Sequence, residues 1–443
     1  MALTKIGTDG IKDDAVTSNK VANAINSSIA ANTAKDLTAL SAANLTSGTI
    51  PDARFPATLP AASAANLTAV PAANITGTLP AISGANLTNL PASGKATNII
   101  VNGDLRVAQY GSASTATNGI QTADRFGKYT SSTDETPVQE HVDVASGTTP
   151  YTLGFRKAYK ITNGNQTSGG STTTRVGIEY KIEAQDIATS GWNYLSSSSY
   201  ITFSYWVRSS VAQNFYNTFG TDDGTSQRYV TETGSLSANT WTKITKTIPG
   251  NSNLTFNNDN GEGLEITWEC FRGTSQTGTR PLNAWAASDN NTRTPDQTST
   301  WYTTNDATFE ITGVLLEVGE TASDFPHESY QDTLLKCQRY NYAHKGPLWG
   351  EVSAGDHLDI GLYFPVPMRA SPSRTQVDTS LAFKNRLNQG NNTSPNTYSV
   401  ATNEYGAMWI ARPASGSWDT QDGRHHYWHE PTGNTSYSWS AEL

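Results

Sequence analysis

Apolar and polar positions alternate with period two in several separate stretches of the chain. Ile201, Phe203, Tyr205 and Val207 fall on one face, and Tyr200, Thr202, Ser204 and Trp206 on the other. Leu264, Ile266, Trp268 and Cys270 alternate with Glu265, Thr267 and Glu269, and Phe309 and Ile311 with Glu310 and Thr312. Such alternation predicts strands with one buried face. Turn-forming clusters such as Asn257 to Gly263 separate them, so the pattern predicts an antiparallel β-sandwich or jelly roll. The segment Asn98 to Arg106 reads as an apolar strand entering a turn. Beyond Phe325 the pattern predicts a short helix over Tyr330 to Cys337 and a strand over Arg339 to His344. Leu358, Ile360, Leu362 and Phe364 then share a face, as do Tyr437, Trp439, Ala441 and Leu443. These predict a second, smaller β-sandwich with the terminus tied into a sheet.

The N-terminal quarter is different. Val21, Ile25 and Ile29 recur at i, i+4 and i+8 among alanines, which predicts a thin helix packing on copies of itself. From residue 37 to about 96 a degenerate unit repeats, with Asn-Leu-Thr at 44, 66 and 86 and Asn-Ile-Thr at 74. Each unit closes on an apolar residue followed by Pro51, Pro71, Pro80 or Pro91. Proline excludes a continuous helix, and units this short cannot form a sheet alone. Leu45, Ile50, Leu67, Val70, Ile75, Leu79, Leu87 and Leu90 could line an axis shared by intertwined chains. The pattern thus divides the 443 residues into a segment 1–36, a repetitive shaft 37–96, a first β domain 97–328 and a second 329–443.

Composition sharpens this picture. Phe55 is the sole aromatic before residue 110, and all eleven tryptophans lie from Trp192 onward. The first segment therefore cannot bury enough apolar area to offset its ordering entropy unaided. Identical neighbouring chains are the simplest source of contacts. Only 16% of residues are charged and the formal net charge is −9, which disfavours nucleic-acid binding. No stretch is long and apolar enough to cross a membrane. The N-terminus lacks the pattern of a secretory signal, so release by lysis or as part of a particle is expected. The two cysteines, Cys270 and Cys337, have no metal-type spacing and read as buried free thiols.

Asn102-Gly-Asp-Leu-Arg-Val-Ala-Gln109, followed by Ala123-Asp-Arg-Phe126, resembles the opening of a jelly-roll domain in bacteriophage tail fibres. Leu315 to Phe325, then Tyr330 and Leu335-Lys-Cys-Gln-Arg-Tyr340, resembles the close of that domain. Phe364-Pro-Val-Pro-Met-Arg-Ala-Ser-Pro372 and Ser440-Ala-Glu-Leu443 resemble a C-terminal fibre module, and the repeat at 44 to 91 is similar to fibre-shaft repeats. The resemblance implies a mainly β, elongated homotrimeric fibre in the virion. The N-terminus would attach to the phage tail or an adaptor protein, and a carbohydrate-binding-like jelly roll would face host glycan or lipopolysaccharide. The matching phrases read as structural, so the resemblance assigns no ligand contacts.

The sequence shows no nucleophile elbow, phosphate loop or metalloprotease helix, and a non-enzymatic adhesin is expected. The rivals are a polysaccharide-cleaving tailspike and a structural collar or head fibre. Glu265 and Glu269 share one side of a predicted strand, but at ~13 Å between α-carbons they suit an acid–base pair poorly; an outer, solvated face is the plainer expectation. For sugar binding the candidates are Tyr200 and Trp206 on the non-core face, Trp241 at the start of a strand, and Trp418, Asp419, Gln421 and Asp422 in a loop. His425 and His429 would share a strand face with Tyr427 and are the candidate metal ligands, one imidazole per chain about a trimer axis. The oxygen-rich loops Asp222 to Gly224 and Asn257 to Glu262 are candidates for a structural calcium, although turn formation alone explains their composition.

Overall fold

The structure is a computed structural model that describes Ser27 and residues 97–344, 348–354, 357–376, 382–385, 392–393, 396–412, 426–429 and 437–443. The expected attachment segment 1–36 and shaft 37–96 lie outside these, Ser27 apart. The chain divides into two compact units, Met1–Asn86 and Leu87–Leu443.

Within the second unit the first eleven strands form two antiparallel sheets. They are β1 (Gly127–Ser131), β2 (Val138–Asp143), β3 (Lys157–Thr162), β4 (Arg175–Glu183), β5 (Tyr200–Ser209), β6 (Asn214–Thr221), β7 (Gln227–Ser235), β8 (Thr242–Pro249), β9 (Glu262–Arg272), β10 (Trp285–Ala287) and β11 (Thr308–Val318). One sheet has the order β1-β4-β9-β6-β7-β10 and the other β2-β3-β11-β5-β8. Three short helices lie between strands: α1 (Thr149–Thr152), α2 (Ala184–Ala188) and α3 (Thr300–Thr303).

The predicted alternation sets the core. Phe203, Tyr205 and Val207 of β5 and Leu264, Ile266, Trp268 and Cys270 of β9 are all fully buried. The two sheets meet at Trp268, whose ring lies 5.8 Å from both Phe203 and Tyr205, the latter edge-on. The one polar atom Tyr205 carries inward is satisfied, because its hydroxyl donates to Asn217 Oδ1 at 2.5 Å. Burial of a ring this size is worth about 3–5 kcal/mol against alanine.

Two expectations fail here. Asn98 to Arg106 is not a strand. Asn102 and Leu105 adopt φ of 63° and 59°, which breaks an extended run. Asparagine side chains replace the missing ladder bonds. Asn98 Nδ2 donates to Val314 O, its Oδ1 accepts from Leu316 N, and Asn102 Nδ2 donates to Val107 O and Asp124 O. The outer face of β9 is not solvated throughout either. Glu269 is fully buried in an ion pair with Arg272 at 2.6 Å and accepts from the Tyr129 hydroxyl. Burial pushes its carboxyl up, yet the Arg272 charge and these hydrogen bonds hold it below the usual range.

Helix α4 (Tyr330–Gln338) leads out of this sandwich, with Ser329 accepting from Asp332 N as its N-cap. Ten strands follow: β12 (Asn341–His344), β13 (Leu348–Ala354), β14 (His357–Tyr363), β15 (Ser373–Gln376), β16 (Ala382–Asn385), β17 (Asn392–Thr393), β18 (Asn396–Asn403), β19 (Gly406–Arg412), β20 (His426–His429) and β21 (Tyr437–Ser440). They form a three-stranded sheet, β12-β21-β15, and a seven-stranded sheet, β17-β16-β20-β13-β14-β19-β18. Leu358 and Ile360 of β14, Tyr437 and Trp439 of β21, and Phe364 and Met368 share one buried core. The terminus is tied into a sheet as expected, and both cysteines are free and buried.

The two sandwiches join through buried charge. Arg125 donates to Glu442 and to Lys181 O, and its guanidinium lies 3.5 Å from the centre of the Tyr340 ring. Gln109 Nε2 donates to Asp124 Oδ2 and to Asn341 O, both at 2.6 Å. Arg339 forks onto Glu183 with two bonds of 2.7 Å, and Arg369 donates to Asn260 O. Gln109, Asp124, Arg125, Arg339, Tyr340, Arg369 and Glu442 all come from the phrases that carry the sequence resemblance. Those phrases are far apart in the chain and converge on this joint.

Candidate functional site

The outer face of the five-stranded sheet carries two of the predicted sugar-binding residues together. Trp206 on β5 pairs with Lys243 on β8 and with Thr312 on β11. Trp241 directly precedes β8 rather than opening it, and Arg208, two residues beyond Trp206 on the same face, lies 5.4 Å from the centre of the Trp241 ring. Arg208 is held in turn by both carboxylate oxygens of Glu310, at 2.7 and 2.9 Å. Both tryptophans are half-buried and pack on a small apolar cluster of Val144, Phe155 and Ala158.

Beside Trp206 lies a cleft of about 380 Å³, lined also by Phe155, Lys243, Asp324, Phe325 and His327. This is within the size range of small-ligand sites. Its wall is aromatic: Phe155, Phe325 and His327 form a triangle with ring centres 5.0–5.1 Å apart. Local backbone chemistry explains how that wall forms. β11 slips register against β5 between Thr312 and Leu315, and Gly313 sits there at φ +61°. A Cβ at that glycine would lie 2.6 Å from Phe155 Cζ, so only glycine lets the ring lie against the strand. On the other side Ser323 donates through its backbone N and its Oγ to Glu317, at 2.8 and 2.7 Å, which fixes the segment bearing Asp324 and Phe325. His327 is docked by its Nε2, 2.8 Å from Leu153 O. Exposed Lys243 and Asp324 supply polar groups at the edge, and buried Ser204 and the Ser323 held by Glu317 line the cleft deeper in.

This arrangement suits a sugar. A pyranose ring presents C–H groups on one face and hydroxyls around its edge. A half-exposed indole takes the first and a mixed polar rim the second. Phe155, Phe325 and His327 were not among the sequence candidates. Phe155 precedes β3, and Phe325 and His327 follow β11, so strands that neighbour in the sheet bring them together and no local spacing reveals it.

The other candidates are distributed as follows. Tyr200 opens β5 on the same face as Trp206 but six residues away, roughly 20 Å along the strand, and does not line the cleft. Trp418, Asp419, Gln421, Asp422 and His425 lie outside the described residues. His429 ends β20, opposite Leu348 and Phe383. The two oxygen-rich loops dock on each other: Asp223 accepts from Asn257 N at 2.8 Å and from Asn257 Nδ2 at 2.6 Å. Asp259 Oδ1 accepts from Gly261 N at 2.9 Å, closing its own turn. Among the described residues no group of three or more His, Cys, Asp or Glu side chains is arranged to hold a metal. No described helix is long and apolar enough to cross a membrane.

No family model matches the sequence, and no curated protein matches it. Among solved structures the chain is similar to the enzymatically active domain of tailspike protein 4 of bacteriophage CBA120. The identity is 9% and the TM-score 0.28, over 50% of this chain and 21% of that one. It is also similar to a family 4 carbohydrate-binding module, at 12% identity and TM-score 0.25, covering 49% of this chain and 98% of the module. The N-terminal cellulose-binding domain of Cellulomonas fimi β-1,4-glucanase C gives 11% identity and TM-score 0.23, over 47% and 95%. The chain thus spans about a fifth of the tailspike chain it matches. Overlays this loose assign no function.

Proposed function

We propose that this chain is a bacteriophage tail-fibre subunit that holds the host surface by reversible binding of envelope glycan. The observation that carries the reading is the Trp206 cleft, where an apolar ring face, an aromatic wall and a polar edge meet on one sheet. The fibre part rests on the sequence: a shaft repeat unable to fold alone, and phrases resembling tail fibres. The chain would act as a homotrimer on the virion. Its N-terminus would meet the tail or an adaptor, and its β-sandwiches would meet glycan or lipopolysaccharide. Three copies raise the effective concentration of each site, so weak single contacts suffice to hold a cell. Exposed Tyr363, Tyr405 and Met408, on and beside the paired strands β14 and β19, offer neighbouring copies an apolar surface.

Adhesion without bond cleavage is the proposed chemistry. Of the two acids considered from sequence, Glu269 is locked by Arg272 and does not fit the role of a proton donor. The deciding experiment titrates the purified full chain with host lipopolysaccharide and surface polysaccharide, and follows polysaccharide length in parallel. Trp206→Ala should weaken binding at least about tenfold, the scale of one lost aromatic contact, with the polysaccharide left intact. Unchanged affinity in a folded variant would refute the cleft, and shortening of the polymer would refute the adhesin. The solution mass of the full chain beside a chain starting at residue 97 tests the trimer.

A further inference from the structure

A second cleft, of about 560 Å³, opens on the outer face of the six-stranded sheet, opposite the one that bears Trp206. One row of residues crosses its floor. Gly220 on β6 pairs with Arg228 on β7 and with Glu265 on β9. A Cβ placed on Gly220 would stand 3.7 Å from Arg228 Nη2 and 3.7 Å from Glu265 Oε2. The cation and the carboxylate therefore face each other across a glycine, and they form no ion pair.

Arg228 is the unusual member. It is only 5% exposed. Its contacts are long ones to neutral hydroxyls, 3.2 Å to Thr218 Oγ1 and 3.4 Å to Ser288 Oγ, and its Nε has no partner. The buried arginines Arg272 and Arg125, by contrast, are matched by Glu269 and Glu442. A buried guanidinium without a counter-ion is costly to fold. Arg175 and Arg293 add positive charge to the same cleft and Asp222 adds negative charge at its wall, while Glu262 is already taken by Lys181 at 2.8 Å. Burial, with Arg293 nearby, pushes the Arg228 guanidinium down to about 10, against the opposing pull of Glu265 and Glu269; an oxyanion within hydrogen-bond reach would offset that burial.

We infer that this cleft binds an acidic sugar residue, with its carboxylate or phosphate against Arg228 and its hydroxyls donating to Glu265. A planar guanidinium matches either oxyanion. Gly220 leaves the gap that the ligand bridges. The inference stands apart from the Trp206 cleft, since it uses different residues on a different sheet.

The test is calorimetric titration of the full chain at low ionic strength with glucose, glucuronate, glucose 6-phosphate and inorganic phosphate. Glucuronate or glucose 6-phosphate should bind at least about tenfold tighter than glucose, the scale of one charge-assisted pair. Which of the two binds tighter identifies the oxyanion. Arg228→Met should remove the preference without lowering the unfolding midpoint, because it removes an unpaired buried charge. Gly220→Leu, which fills the gap and keeps the arginine, should also remove it and guards against misfolding of the first variant. Trp206→Ala should leave it intact. No preference for the acidic sugars, or a preference that survives in folded Arg228→Met or Gly220→Leu protein, overturns the inference. Inorganic phosphate binding as tightly as glucose 6-phosphate would overturn the part assigned to the sugar hydroxyls.

Discussion

Asp124 places a titrating group in the joint between the two sandwiches, and replacing it with asparagine gives a signed, quantitative expectation. Its carboxyl is fully buried and accepts from Gln109 N and Nε2, both at 2.6 Å. Burial pushes it up to about 7 from an ordinary 3.8; Glu442 adds to the rise, while the Gln109 bonds and Arg125 oppose it. The folded form thus holds its proton longer than the unfolded form. The stabilisation is complete below about pH 4 and is lost as pH rises through about 7. The rise from 3.8 to about 7 corresponds to ~4 kcal/mol across that window. The amide that replaces the carboxyl in Asp124→Asn cannot titrate. Against the neutral acid that the native protein holds below about pH 7, it puts an NH2 that cannot accept in place of a hydroxyl oxygen that can, at a cost of about 1 kcal/mol that does not vary with pH. The difference in unfolding free energy, Asp124→Asn minus native, should therefore climb by several kcal/mol between about pH 4 and 8. Urea unfolding of both proteins, followed by tryptophan fluorescence at matched pH values, measures that difference. Asp186, Glu179 and Glu262, also raised by burial, titrate in both proteins and cancel to first order. A difference that stays flat, or falls with pH, would refute the reasoning.

Gly313→Ala should destabilise the first sandwich by about 2–4 kcal/mol, combining a left-handed backbone with a Cβ pressed on Phe155; it should also weaken glycan binding by displacing the wall of the cleft. Denaturant midpoints and glycan titration of the same sample check both effects. Burial pushes the thiols of Cys270 and Cys337 far above their usual range. Both should resist maleimide in the folded protein near neutral pH and react together on unfolding, as mass spectrometry would show.

The sandwich was legible where one face alone decided the outcome. Along β5 and β9 every residue read as inward is buried, because a two-residue period leaves no other way to cover them. The opposite faces were less legible. Glu269 looked solvated because its partners Tyr129 and Arg272 enter from β1 and from beyond a bulge, and neither is implied by the local pattern. Asn98 to Arg106 looked like a strand because of its run of apolar residues, whereas two left-handed residues and two asparagine side chains set its path. The Trp206 cleft was half legible. The indole could be read from alternation, but Phe155 and His327 reach it from positions 172 residues apart in sequence. Arg228 gave no signal at all, since an arginine in an alternating strand reads as an outward, hydrated residue; its burial against neutral hydroxyls shows only in the folded chain.

Strand β21 lies in the middle of its sheet, between β12 and β15, although it follows every other strand of that sandwich in chain order. Ser438 bonds Asn341 across 97 residues and Ser440 meets Ser373 across 67. During synthesis β12 and β15 must therefore wait, unpartnered in that sheet, until β21 leaves the ribosome. The second sandwich is then a late, slow assembly with a high contact order. Its closure brings in Glu442 and completes the joint with the first sandwich, so translation order itself makes the joint the last part of this unit to set.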